Sequence, residues 1–194
     1  MRRIFLYGVC ILFMGPSFGQ GLPPAVNLRA LFHIHLPALS SVTPVFEAES
    51  TPMVFLFLSP DCPLCKSYSL IINQLYKEFG GNVRFYGVIP GNAESQTEIN
   101  TFISKYHILF PLYRDPTMYV VKKLRAEVTP QVVVLNAKGI WLYTGLIDDR
   151  VVALGQQRNQ ASRHYLREAL DAGVAGKTPA TTRTTPIGCL INAF

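Results

Sequence analysis

Residues 58–72 read LSPDCPLCKSYSLII, with two cysteines two residues apart, an apolar run before them and a helical-looking run behind. The preceding stretch, MVFLFLS (53–59), is continuously apolar between Pro52 and Pro60, as suits a strand buried on both faces. Behind the pair, Leu64, Tyr68, Ile71, Ile72, Leu75 and Phe79 share one helical face, and Gly80-Gly81 ends the helix. Pro63 suits the first helical position, whose N–H has no partner inside the helix. Cys62 is then the N-cap, its sulfur facing the unpaired N–H groups of Leu64 and Cys65. Those donors and the helix dipole favour a thiolate and lower its pKa below about 8.5. Lys66 assists and Asp61 opposes. The expected roles are an exposed, attacking Cys62 and a less exposed, resolving Cys65, close enough to bridge to it.

Two other uses of the pair compete with redox chemistry. A bridge over so tight a loop removes little unfolded-state entropy, so as a staple it is weak. A zinc site needs two further ligands. His33 and His35 share a face of a candidate strand, but nothing fixes their proximity, and ordinary strand-edge positions suit them. His107 and His164 lie in helical patterns without partners at ligand spacing. No metal is assigned.

Working outward, VNLRALFHIHL (26–36) partly alternates and reads as a strand. VRFYGVI (83–89) is a second central strand. Ser95 and Glu98 have capping-box spacing before a helix carrying Ile99, Phe102, Ile103 and Tyr106. FPLYRD (110–115) is a short extended piece, and Asp115-Pro116 opens a helix to about Arg125. QVVVLN (131–136) and IWLYTG (140–145) flank Ala137-Lys138-Gly139 as a hairpin. Asp148, Asp149 and Arg150 follow as an expected solvated turn, and a last helix spans roughly Ser162 to Asp171. This order predicts an α/β sandwich with a mixed sheet.

Of the 194 residues 49% are hydrophobic and 15% charged, ample for a core. The formal charge of +6 comes from scattered basic residues, with no aromatic-rich basic stretch suited to nucleic acid. Residues 1–19 have the form of a signal peptide: MRR, then the apolar IFLYGVCILFM, then small residues at Ser17 and Gly19. The run is shorter than the ~20 residues of a membrane span. Cleavage is expected after Gly19, with a lipid-anchored Cys10 as the rival reading; it would remove Arg2, Arg3 and Cys10 and leave Cys62, Cys65 and Cys189 in a compartment where disulfides persist. The odd count leaves one thiol over.

With VTPQVVVLNAKG (128–139) added to the strand, cysteine pair and helix, residues 50–172 resemble the thioredoxin-like superfamily. That resemblance implies a three-layer sandwich, a central mixed β-sheet flanked by helices. The extra strand and helix at 110–126 look like the redoxin branch, which includes exported TlpA-like oxidoreductases and AhpC/TSA peroxidase relatives. YTGLIDDR, HYLREALDAGVAGK and TTPIGCLI also look like exported bacterial redoxin-domain proteins. In the superfamily the proline at the place of Pro130 is cis and packs beside the cysteine pair. Thr129 would then offer its backbone N–H and C=O to a peptide as an added strand. Taken alone, Thr129-Pro130 reads as an ordinary trans bond before a strand. The chain departs from thioredoxin at Asp61 and Pro63-Leu64, and no acidic residue lies in 53–58, where a buried proton-transfer carboxylate belongs. Ser59 matches the hydroxyl residue of a peroxidase site, but Phe55 stands where its proline belongs.

The expected organisation is a signal peptide (1–19), a redoxin domain (20–172) and a tail (173–194) whose Cys189 resolves a disulfide, pairs with a partner or sits unused. The expected function is thiol–disulfide exchange outside the cytoplasm, at a redox-active disulfide without other cofactor. The partners are protein thiols and disulfides and a membrane-linked thiol electron donor, not nucleic acid. The resemblance favours reduction, for example of apocytochrome thiols. A peroxidase and a copper- or metal-binding protein are the alternatives.

Overall fold

The computed structural model describes residues 22–32, 36–39 and 51–191. The signal-peptide segment, His33 and His35 lie outside the described residues.

The run at 53–59 forms β1 (Met53–Phe57), every residue of it buried. It is central because both its edges are paired, in parallel with β2 (Arg84–Pro90) and antiparallel with β5 (Gln131–Leu135). Strands β3 (Leu112–Asp115) and β6 (Trp141–Gly145) complete a mixed sheet of order β3-β2-β1-β5-β6. Alternation along β1 splits the core. Val54 and Leu56 join the cluster formed with α2 (Pro63–Phe79), α3 (Gln96–Lys105) and α5 (Tyr165–Val174). Met53, Phe55 and Phe57 join the opposite cluster with α1 (Leu28–Phe32) and α4 (Tyr119–Lys123). At roughly 1.5–3 kcal/mol for each large apolar side chain buried, these two clusters dominate the stabilisation. The α/β three-layer sandwich expected from the sequence is the observed architecture.

The amphipathic pattern, the capping box and the hairpin read from the sequence are all present. Ser95 Oγ accepts the Glu98 N–H, and the Glu98 carboxylate accepts the Ser95 N–H at 2.6 Å. In the hairpin the Asn136 side chain accepts the N–H groups of Lys138 and Ile140 at 2.9 and 3.0 Å.

Three local readings are corrected. Residues 28–32 are helical, not extended: the Asn27 side chain accepts the Ala30 N–H at 3.1 Å, and Leu28 and Leu31, three apart, turn to the same cluster. The helix at Asp115-Pro116 starts later, at Tyr119, because the Asp115 carboxylate reaches forward to the N–H groups of Tyr119 and Val121 at 2.9 and 3.0 Å. The last helix also starts late, since Ser162 binds Asp149 instead of capping.

Asp148 and Arg150 are not in a solvated turn. Asp148 is 2% exposed and accepts the Tyr68 hydroxyl at 2.5 Å and Arg150 Nε at 2.9 Å. The Arg150 guanidinium lies 4.6 Å from the Tyr68 ring centre. Burial raises the Tyr68 pKa, and the Asp148 carboxylate beside it raises it further. These bonds tie the middle of the cysteine-bearing helix to the segment after β6.

After α5 the chain returns along the sheet. The short strand β4 (Val128–Thr129) precedes β5, the small hairpin β7 (Val151–Ala153) and β8 (Gln156–Gln157) follows β6, and β9 (Cys189–Leu190) lies near the C-terminus. On the way to β9, the Thr144 N–H donates to the Thr182 carbonyl and the Thr184 N–H to the Thr144 carbonyl, and the Thr184 hydroxyl accepts the Leu146 N–H at 2.9 Å. Gly145, at φ 138°, admits this approach: a Cβ there would stand 2.1 Å from Thr184 Oγ1. The tail therefore docks through main-chain contacts, for which its few apolar residues suffice.

Replacing Asp148 with Ala strands the Tyr68 hydroxyl and Arg150 together. A loss of about 2–4 kcal/mol in denaturant unfolding is expected, whereas the neighbouring exposed Arg158→Ala costs less than about 1 kcal/mol.

Candidate active site

Cys62 occupies the N-cap of α2, with Pro63 the first helical residue, as the sequence indicates. Its sulfur does not cap the helix. It is bonded to Cys189, 127 residues away, with the two Cα atoms 6.0 Å apart. The expected exposed Cys62 and the expected partnership with Cys65 are both corrected in this oxidised form. Cys62 is 2% exposed, and Cys65 is a free thiol at 0%. The cause is the tail. β9 pairs antiparallel with β4, placing Cys189 opposite Thr129, and the Ile191 N–H continues the ladder to the Glu127 carbonyl at 2.9 Å. Of the three readings open for Cys189, the structure brings it to the cysteine pair.

Thr129-Pro130 is a cis peptide bond, as the family resemblance implies. It sets the Thr129 carbonyl oxygen 3.0 Å from Cys62 Sγ. In the disulfide this is a contact without a proton; in the reduced protein a Cys62 S–H can donate to that oxygen. Thr129 thus touches both sulfurs of α2, its side chain engaging Cys65.

Burial pushes the Cys65 thiol up to about 12 from 9.0. The Ser59 N–H, 3.4 Å from the sulfur, and the Thr129 hydroxyl pull the other way, Glu94 adds to the rise and Lys66 offsets it. Lys66 is half-buried beside the pair, and Pro63 is exposed at the mouth.

Glu94 is a residue the sequence reading missed. It comes from the connection between β2 and α3 and is 9% exposed. Its Oε1 accepts the Ser59 hydroxyl at 2.8 Å, while its buried Oε2 has no hydrogen-bond partner among the described residues. A carboxylate therefore stands near the thiols although β1 carries none. The signal was a single acidic residue one place before the Ser95 cap, which spacing alone does not send inward. A cleft of about 470 Å³ runs along this side, between Ser59, Gly91, Glu94, Met118, Thr129 and Cys189.

Among the described residues no group of three or more His, Cys, Asp and Glu is arranged to hold a metal ion, and no helix is long and apolar enough to cross a membrane. His107 lies just beyond α3 and His164 just before α5.

Residues 41–148 match the AhpC/TSA family, more than half of the chain, and the chain belongs to that family. No curated protein matches the sequence. Among solved structures, the fold is similar to the hypothetical protein SMc02350 from Sinorhizobium meliloti 1021, at 23% identity and TM-score 0.65, over 74% of this chain and 80% of that one. It is similar to a thioredoxin-like protein solved in its oxidized form (16% identity, TM-score 0.54, 72% and 88% covered). A candidate thiol:disulfide interchange protein DsbE from Chlorobium tepidum matches at 13% identity and TM-score 0.52, with 65% and 82% covered. The fold is thioredoxin-like, in its redoxin branch.

Two outcomes follow for the oxidised protein. Iodoacetamide near neutral pH leaves Cys65 unlabelled until the protein is denatured, read by the mass of its tryptic peptide; labelling as fast as a free cysteine contradicts the burial. The native state also holds the Cys65 proton after the unfolded chain, at 9.0, has lost its own. Stability accordingly falls as pH rises from about 9 towards 12, and the fall is smaller in Cys65→Ala.

Proposed function

We propose that this protein is a thiol–disulfide oxidoreductase acting on protein disulfides outside the cytoplasm, with Cys62 attacking and Cys65 resolving. The observation that carries the reading is one constellation: Cys62 at the head of α2 and already in a disulfide, the Thr129 carbonyl beside it, and a free Cys65 one turn inside.

In the reduced protein the Cys62 thiolate, favoured by the N-terminal N–H groups of α2, attacks one sulfur of a substrate disulfide. A bond forms between the two sulfurs, and the other substrate sulfur leaves as a thiolate that takes a proton. Cys65 then gives up its proton and displaces the first substrate sulfur from Cys62, leaving the protein oxidised and the substrate reduced. Glu94, whose charge acts on the Cys65 thiol, is the carboxylate assigned to receive that proton, in place of the strand carboxylate that β1 lacks. Thr129 binds the substrate main chain, with Pro130 fixing its orientation; Pro63 and Lys66 shape the approach to Cys62. Two electrons return from a dithiol donor, a membrane-linked one if residues 1–19 direct export. The charged n-region and apolar run support the location, and the disulfide itself serves as the redox group.

Peroxide chemistry fits less well. Cys62 meets a carbonyl acceptor at Thr129, whereas polarising a peroxide calls for donors, and Phe55 occupies the place of the peroxidase proline.

In insulin reduction driven by a dithiol, Cys62→Ser is expected to lose at least about a hundredfold in rate. Cys65→Ser instead accumulates a mixed disulfide, seen as a mass increase equal to the bound substrate chain. An unchanged rate in Cys62→Ser removes the proposed function.

A further inference from the structure

The C-terminal segment has an unusual place for a tail. β9 lies along Val128–Thr129, the edge where an extended peptide would add as a strand, and its cysteine is bonded to the sulfur that would attack such a peptide. Around Cys189 the side chains alternate in environment. Ile187 and Ile191 are partly buried and pack against the two core clusters, whereas Leu190 is 76% exposed. Gly188 is buried against the main chain of β4, where a Cβ would stand 2.3 Å from the Thr129 carbonyl oxygen and 2.8 Å from its carbon. Backbone cannot yield as a flexible side chain would, so this position excludes a side chain.

We propose that residues 187–191, Ile-Gly-Cys-Leu-Ile, are a tethered substrate of this site. The peptides it accepts then carry glycine immediately before the reacting cysteine and an apolar residue two places to either side, with the following position unrestricted. This deepens the proposed function and rests on it: the substrate class is an extended Gly-Cys peptide docked on Thr129.

The tether also determines how the site opens. A thiolate, from Cys65 or from an external dithiol, attacks Cys62 Sγ; the bond to Cys189 breaks, and Cys189 leaves as a thiolate and takes up a proton. With Cys65 as attacker, one disulfide replaces another and no electrons leave the protein. With an external dithiol, two electrons enter and the donor is oxidised. Cys65 is sealed in the core and held protonated, which slows the internal route. An incoming peptide must displace β9, a neighbour whose tether keeps it at high effective concentration.

Two measurements on the full-length protein test this. In the non-reduced protein, blocked with an alkylating agent and digested without reduction, the Cys62 peptide is expected linked to the Cys189 peptide. In the second, the fully reduced protein receives a synthetic peptide of residues 184–194 as its disulfide-linked dimer, beside the same dimer with Val in place of Gly188. The glycine dimer is expected to be reduced with a kcat/KM at least about tenfold higher. A Cys62–Cys65 linkage with Cys189 alkylated, or equal rates on the two dimers, overturns the tethered-substrate assignment while leaving thiol exchange standing. Failure to reduce either dimer and insulin as well brings down the exchange reading, and this one with it.

Discussion

Two residues of main-chain pairing decide the chemistry of this molecule. Val128 and Thr129 lie opposite Leu190 and Cys189, and that register alone selects which sulfur Cys62 meets. A shift by one residue would turn Leu190 towards Cys62 and Cys189 away, because successive side chains of a strand point to opposite sides. Gly188 helps hold the register, since only a residue without a side chain can lie against the Thr129 carbonyl. The β4 edge acts here as a positioning device for the Cys189 sulfur.

Burial of Cys62 has to be understood in the same terms. A helix N-terminus favours a thiolate whenever the sulfur is free to face the amide donors. In the disulfide the sulfur faces Cys189 rather than those donors and is covered. Cys65 behaves differently. It is sealed among the core residues of α2 and the sheet, and the Ser59 N–H and the Thr129 side chain do not offset its desolvation. One sulfur is thus covered where it bonds Cys189, the other by the core itself.

The fold was legible because its deciding features are local. A continuous apolar run, a helical stripe with a proline at its start, a capping box and an Asn-containing hairpin each carry their geometry within a few residues. The misreadings came where a distant partner overrides the local pattern. Leu28 and Leu31 turn inward towards β6, Asp115 spans forward to Val121, and Asp148 is drawn in by Tyr68, 80 residues away. The cysteine pair was legible as a motif and its placement at the head of α2 followed. Its disulfide partner was not, since nothing in the spacing of Cys62 and Cys65 speaks of a strand that begins at Cys189. Glu94 escaped for the same reason: a lone carboxylate in a loop is assigned to solvent until the fold closes over it.

The two possible partners of Cys62 differ in what they do to the unfolded chain. A bridge to Cys65 closes a loop of a few residues and constrains little. The bridge to Cys189 spans 127 residues, and in the chain-entropy account a loop of that order stabilises by about 4–5 kcal/mol. By reciprocity, whatever the bond adds to the fold, the fold adds to the bond: native pairing of β9 holds Cys189 against Cys62 and so favours that bridge over the shorter one. Oxidation, pairing of β9 with β4 and stability of the fold are therefore a single coupled equilibrium. A ligand that competes for the Thr129 edge acts on all three at once, weakening the bridge to Cys189 by the same free energy with which the bridge opposes its own docking.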